Sequence, residues 1–598
     1  MNEDRRPARR PSPGLLAAVL ALTLLAGVGC RTAPDADGPS LTRVRARLEK
    51  EPARLMPLMA ISGYDMQVAE RVFQALMQFD PVDERLVPQL AAAQPRVEQL
   101  PGGGVRYVFA LRDGARWQDG RPVTPDDVVF TYQALAYPGF AHPALRGSVR
   151  ELTDVRVGPG PREVTVEAAA VTLNGVAAYG NVPILPRHVY DAEGALAGLS
   201  IAELLAADAP EVLPEGARRF ADEARTAPFG RETVVGSGPY RLADWQPGVR
   251  LRLVRDSAYW AAELPGAVFL ARPDTLDYLP VPDGEAAVAM LLNGDLDVVN
   301  NVAAREAARL RDEEPSVEVY TPLTRTRTFV YLNTADPLLA DVRTRRALAH
   351  LLDVEGFLRD VQLGFGEALH GPYHPREDYA AAGARPVAFD VDRARSLLAE
   401  AGWRDGDGDG VVERVRDGRT ETLELDYLYP ASSEASEALA LLYAQDAAAA
   451  GVRLRPVGKE FGALIGDLSQ RTFQLVQGAV ASDPLPEDPY GLWHTGSDTP
   501  RGKNRAGFGD AASDALIDSI RVNLDAAARA GQYARLADMI HAEQPVIFLI
   551  VPQERIAVWA GLEPMLTTRR PGYYPPGFRL ADDAAAELAT EAIRRTAN

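Results

Sequence analysis

The chain has 598 residues and a formal net charge of −19, with 46% hydrophobic and 25% charged residues. That composition supports a packed core and excludes disordered, collagen-like and multi-span membrane classes, and the length implies several domains or one large fold with inserted lobes. An acidic surface repels phosphate backbones, so nucleic acid is not an expected partner.

Arg5, Arg6, Arg9 and Arg10 precede an apolar stretch from Leu15 to Val28 that is too short for a comfortable membrane span. This is the order of an export signal, assigned to residues 1–29. The only cysteine, Cys30, follows directly, and its solitude excludes an intrachain disulfide, a Cys-ligated zinc site and a CxxC redox pair. Gly27-Val28-Gly29-Cys30 resembles the bacterial lipobox, with Gly27 in place of the usual Leu, so Cys30 is expected to carry the lipid of an anchored protein. Residues 31–40, rich in Pro, Ala, Gly and Asp, read as a flexible tether.

Further along, Val105, Tyr107, Phe109 and Leu111 alternate with polar or small neighbours, as a half-buried strand does. Thr124-Pro125-Asp126-Asp127 supplies a capping hydroxyl, a proline at the first helical position and an acid three residues after the cap, which predicts a helix from Pro125. Val249, Leu251 and Leu253 predict a second half-buried strand. Asp390 caps a helix with apolar face Val391, Ala394, Leu397, Leu398 and Ala401, stopped by Gly402. The run Val546 to Val551 reads as a central strand. Strands and helices interleave throughout, and no repeat of solenoid period or second long apolar segment interrupts them, so the class is α/β or α+β.

The chemistry-bearing motifs are sparse. HExxH and GxSxG are absent, and Gly496 to Asn504 misses the phosphate-loop spacing by one residue and lacks its Ser/Thr. His370 and His374 flank a Gly-Pro turn and read as a surface loop. Asp405, Asp407 and Asp409, with Gly410 at position six, match the first half of a calcium loop, but Arg416 stands where the closing Glu belongs. An Asx-rich turn is the favoured reading, with the three aspartates kept as weak cation candidates. No cofactor is expected.

Several blocks then resemble one family, the extracellular solute-binding proteins of peptide, oligopeptide and nickel ABC importers. They are Tyr107 to Tyr132 (YVFALRDGARWQDGRPVTPDDVVFTY), Ile184-Leu185-Pro186-Arg187-His188, Gly236-Ser237-Gly238-Pro239-Tyr240 with Trp245 and Asp256 to Trp260, Asn293 to Asp297, Tyr331 to Thr334, Asp341 to Leu348, and Asp483-Pro484 with Asp488 to His494. Many of these residues read equally well as architecture: Asp119-Gly120 as a tight turn, Trp117 and Trp245 as core, Gly236 to Pro239 as a bend.

The resemblance implies an α/β fold, large and three-lobed, of the periplasmic-binding-protein type II kind with a hinged cleft. Lobe I would comprise residues 45–83, 191–325 and 546–598, lobe II residues 84–190 and lobe III residues 326–545, after a tether at 30–44. It further implies a monomeric, non-enzymatic receptor that captures a short peptide between lobes I and III and delivers it to an ABC permease and ATPase complex. Asp483 matches the family aspartate that pairs with the peptide α-ammonium, while Val480 stands where the pattern has an aromatic. Ser482, Tyr331 and Ser237, in the same matching blocks, complete the expected ligand-binding set. Sensory or chaperone-like use of the same cleft, or a sugar, opine or metal-chelate ligand, are the alternatives, and an exported enzyme lacks any supporting nucleophile, base and metal set.

Overall fold

The computed structural model describes residues 41–60, 63–226, 229–500 and 502–581. The expected export signal, Cys30 and most of the tether lie outside the described residues. The strand Arg43–Leu48 begins inside the range expected for the tether, with Val44 fully buried.

Three larger sheets organise the chain. A seven-stranded sheet runs Val317–Tyr320, Ile556–Trp559, Val298–Val299, Arg43–Leu48, Thr275–Pro280, Arg250–Arg255, Tyr240–Gln246. A four-stranded antiparallel sheet contains Arg96–Gln99, Val105–Ala110, Glu163–Ala168 and Leu152–Val157. A five-stranded sheet runs Arg453–Lys459, Glu424–Pro430, Leu475–Ala481, Thr326–Leu332, Val546–Phe548. The first two share one continuous core, in which Val44, Leu251 and Val298 pack in the same cluster as Phe109 and Val166. The third sheet has its own core on each face, and the period-two geometry of strands sorts the residues: Val330, Leu332 and Leu475 point to one side, Phe329, Tyr331 and Val476 to the other.

The locally encoded elements form as expected. The helix Pro125–Ala136 starts where the Asp127 carboxylate accepts from the Thr124 N–H at 2.8 Å and the Thr124 hydroxyl at 2.9 Å. The same carboxylate also accepts from the Arg187 N–H at 2.8 Å and Trp117 Nε1 at 3.3 Å, so it ties the helix to its neighbours. Val391–Glu400 is capped by Asp390 and buries Ala394, Leu397 and Leu398. Arg345, 3% exposed, donates to the carbonyls of Glu543 and Gln544 at the end of helix Ala526–Glu543, which assigns the Asp341 to Leu348 block a structural role.

Other expectations need correction. The run Val546 to Val551 is two strands, Val546–Phe548 and Ile550–Pro552, because the chain switches partners at Leu549. Val546–Phe548 sits at the edge of the five-stranded sheet, not its centre, and that sheet therefore passes the boundary expected at residue 545. Val249 is exposed in the turn before Arg250–Arg255. Trp245 is only partly buried, with its Nε1 on Glu51 and Arg231 over its ring. His374 is no surface residue: it is 1% exposed, its Nε2 bonded to the Thr324 carbonyl and its Nδ1 accepting from the Arg376 N–H. Among the described residues no helix is long and apolar enough to cross a membrane.

In the aspartate-rich turn, Asp405, Asp407 and Glu413 bring a carboxylate oxygen each within 4.8 Å of one another. Asp409 lies instead 3.7 Å from Arg453, and Asp405 accepts from the N–H groups of Gly408 and Gly410, as an Asx turn does.

Candidate functional site

Two chain crossings join the body built on the seven- and four-stranded sheets to the body built on the five-stranded one. At them Leu323 bridges Gln553, the Thr324 N–H donates to the Pro552 carbonyl at 3.1 Å and the Glu554 N–H to the Pro322 carbonyl at 2.9 Å. A cavity of 310 Å³ lies between the bodies. One wall is the helix Gly63–Val72, which presents Gly63, Met66, Gln67, Glu70 and Arg71, together with the segment Thr567 to Pro575. The opposite wall is where the paired strands Thr326–Leu332 and Leu475–Ala481 end: Arg325, Thr326, Ala481, Ser482 and Asp483.

Close packing behind the helix explains the Gly236-Ser237-Gly238 block. A Cβ on Gly236 would lie 1.9 Å from the Val72 carbonyl oxygen, and one on Gly238 2.6 Å from that of Arg71, so only glycine admits this approach.

The sequence-derived set divides. Asp483 and Ser482 line the cavity; Asp483 is exposed and its carboxylate has no hydrogen bond or ion pair among the described residues. Val480 does not face it. Strand alternation leaves Ala479, Ala481 and Asp483 on the open face and turns Val480 against the core of the five-stranded sheet. Tyr331 is 6% exposed in the same core, over Gly478, where a Cβ would meet its ring at 2.5 Å, and burial pushes its hydroxyl pKa up to about 12. Ser237 is 1% exposed behind the helix and reaches the site only through its neighbour Pro239.

The loop bearing Asp483 is fastened at its far end. Arg327, 1% exposed, holds Glu487 at 2.7 Å and also donates to the Pro372 carbonyl. The Glu487 N–H donates to the Tyr379 hydroxyl, the Tyr533 hydroxyl donates to the Glu487 carbonyl, and those two rings stack at 3.9 Å. From the four-stranded-sheet side, Asn174 Nδ2 donates to the Pro486 carbonyl and the Leu173 N–H to the Arg521 carbonyl, both at 2.9 Å.

Sequence reasoning did not find the arginines. Arg71, Arg325, Arg569 and Arg570 line the cavity, against Glu70 and Asp483. Arg325 bridges Glu84 on one body and Glu377 on the other, with Glu84 also accepting from the Thr568 hydroxyl. Those bonds hold the Glu84 pKa below its ordinary value despite burial, whereas burial outweighs Arg325 at Glu377 and raises it. Arg569 lies 3.3 Å from Glu70 and interacts electrostatically with Asp483. These residues come from segments hundreds of positions apart; the only local trace was the Arg569-Arg570-Pro571 cluster.

Comparison with known proteins gives this geometry a context. The model of bacterial extracellular solute-binding proteins, family 5 (middle), matches residues 85–503. The chain is 26% identical over 490 residues to the oligopeptide-binding protein AppA of Bacillus subtilis, covering 80% of this chain and 81% of the relative. It is 23% identical to heme-binding protein A of Haemophilus influenzae, covering 83% of this chain and 85% of that one. The structure of AppA with a nonapeptide superposes with a TM-score of 0.70 at 22% identity, over 91% of this chain and 100% of AppA. NikA from Brucella suis, in complex with Fe(III)-EDTA, gives 0.71 at 17% identity, over 90% of this chain and 100% of NikA. The chain belongs to family 5 of the bacterial extracellular solute-binding proteins and has their type II periplasmic-binding-protein fold.

Proposed function

From that membership we propose that the protein is a lipid-anchored, extracytoplasmic receptor that captures a short peptide between its two bodies and delivers it to an ABC permease. The observation that carries this reading is the Asp483 carboxylate, which has no hydrogen bond or ion pair among the described residues and lines the interbody cavity opposite a wall rich in arginine. A peptide receptor must bind a backbone of any sequence, so its affinity comes from main-chain hydrogen bonds and from partners for the terminal charges. Asp483 is suited to the α-ammonium, and 310 Å³ lies at the small end of ligand cavities, roughly 300–1,000 Å³, which favours a short ligand.

The lobe plan expected from the sequence belongs to this proposal, with lobes I and II moving as one because they share a core, and lobe III closing over the crossings at 322–325 and 552–554. The anchor rests on the apolar segment ending at Cys30. A metal chelate is the second reading, favoured by the arginine-rich lining and by the NikA complex with Fe(III)-EDTA. Native mass spectrometry of the purified protein, followed by release and identification of its co-purified ligand, decides between them. A mass series of short peptides supports the receptor reading, and a single metal-bearing species refutes it.

A further inference from the structure

Phe365 belongs by sequence to the five-stranded-sheet body and by packing to the other. It is 4% exposed and shares one buried cluster with Ala287, Val299, Val302, Leu310 and Ala557, all from the strands and helices around the seven-stranded sheet. Its flanks stay behind: Leu358 and Ala368 pack in the core of the five-stranded sheet. Between those two residues the chain leaves one core, seats a single ring in another and returns. The excursion is a tight turn, with Leu363 at φ 51° and Gly364 at φ 81°, the Gly364 N–H donating to the Leu358 carbonyl and the Phe365 N–H to the Gln362 carbonyl, both at 2.9 Å. A leucine at positive φ is strained, so packing around it has to hold it there. Two guanidinium groups of the other body stand over the ring, Arg311 at 5.6 Å and Arg555 at 5.9 Å from its centre. Arg555 Nε donates to the Val302 carbonyl at 2.6 Å, which fixes that group in the wall of the socket.

The ring enters beside a chain crossing. Strand Gly366–Ala368 pairs antiparallel with Ile550–Pro552, with Gly366 opposite Pro552, and the crossing follows at 552–554. A point next to the crossings moves little when the bodies swing, and withdrawing an apolar ring into water is unfavourable. By contrast, Leu173 and Asn174 reach Arg521 and Pro486 through hydrogen bonds that water can replace.

We propose that Phe365 is the pivot of the hinge, a positioning residue that stays seated in the other body while the crossings bend, so that the cavity walls meet in one orientation. Two crossings alone leave the bodies free to twist as well as to swing, and a third attachment beside them removes the twist. A ligand then meets walls already in register, without the cost of ordering them. The inference rests on the reading that the two bodies move and is independent of the ligand's identity.

The test measures the distance between the bodies without any ligand. Spin labels on Asp113→Cys and Asp392→Cys, one exposed position in each body, are placed in Cys30→Ser protein and read by double electron–electron resonance. With Phe365 in place a single narrow distribution is expected, with Phe365→Ala one about twofold wider, and with Phe365→Leu, which refills part of the socket, one in between. Phe365→Leu keeps the test decisive if Phe365→Ala does not fold. A width equal to that of the Phe365 protein, in either variant that still unfolds cooperatively, overturns the pivot. An equimolar mixture of synthetic tripeptides, added to the Phe365 protein, tests the motion separately. An unchanged mean distance refutes closure by peptides, and the widths still decide the pivot.

Discussion

Glu487→Gln isolates the anchor of the Asp483 loop. The substitution keeps the side chain's shape but removes the charge that faces Arg327, which is 1% exposed, and so strands a cation in the core of the third sheet. Removing one partner of a buried pair costs ~3–5 kcal/mol, whereas replacing both with apolar groups is often neutral or stabilising. Among the described residues Arg327 Nε and Glu487 Oε1 have no hydrogen-bond partner, which places the expected cost at the lower end. At about 3 kcal/mol, a unit of about 150–250 residues loses roughly 6–12 °C in melting temperature. Calorimetry should therefore show the transition of the five-stranded-sheet body moving down in Glu487→Gln and recovering most of the loss in Arg327→Met/Glu487→Leu.

Equal losses in the single and double variants would refute the stranded-charge argument.

Asp483→Asn should weaken binding of free tripeptides at least tenfold, about 1.4 kcal/mol, and that of N-acetylated ones far less; equal losses would remove the ammonium assignment. The His374 ring is fully bonded only when neutral, because Nδ1 accepts from Arg376, and burial lowers its pKa to about 4. Stability tied to this group is present above its unfolded value of 6.5 and lost as pH falls toward 4, by about 3 kcal/mol, and His374→Gln should flatten that slope in urea titrations. Cys30→Ala should leave an uncleaved precursor without lipid label; a wild-type protein that partitions into the aqueous phase of a detergent extraction would refute the anchor.

What could be read from the sequence was local. Thr124 to Asp127 announced a helix because capping is settled within four residues, and Asp390 with Gly402 bracketed another for the same reason. Val546 to Val551 misled because an apolar run states burial but not which strand lies beside each half. In the site, Asp483 was reachable through its matching block, while Tyr331 and Ser237 belonged to matching blocks whose role is packing. Arg71, Arg325 and Arg569 gain meaning only when the fold brings residues 71, 325 and 569 to one cavity, and no spacing rule connects them.

The seven-stranded sheet also sets the order in which the molecule can assemble. Ala46 pairs with Val298, and Val298 with Val558, so this sheet stays incomplete until almost the whole chain has been made. The four-stranded sheet needs only residues 96–168, and the five-stranded sheet residues 326–548. Such long loops make the first sheet the slow step. Until residues 275–280 are made and pair along it, Val44, Ala46 and Leu48 wait without neighbours, and the residues alternating with them are Arg43, Arg45 and Arg47. Charges interleaved along an unpaired strand discourage mispairing. After assembly Arg45 closes on Asp297, and Arg47 on the carbonyls of Val281, Pro282 and Asn300, so the guards of the waiting strand become its fastenings.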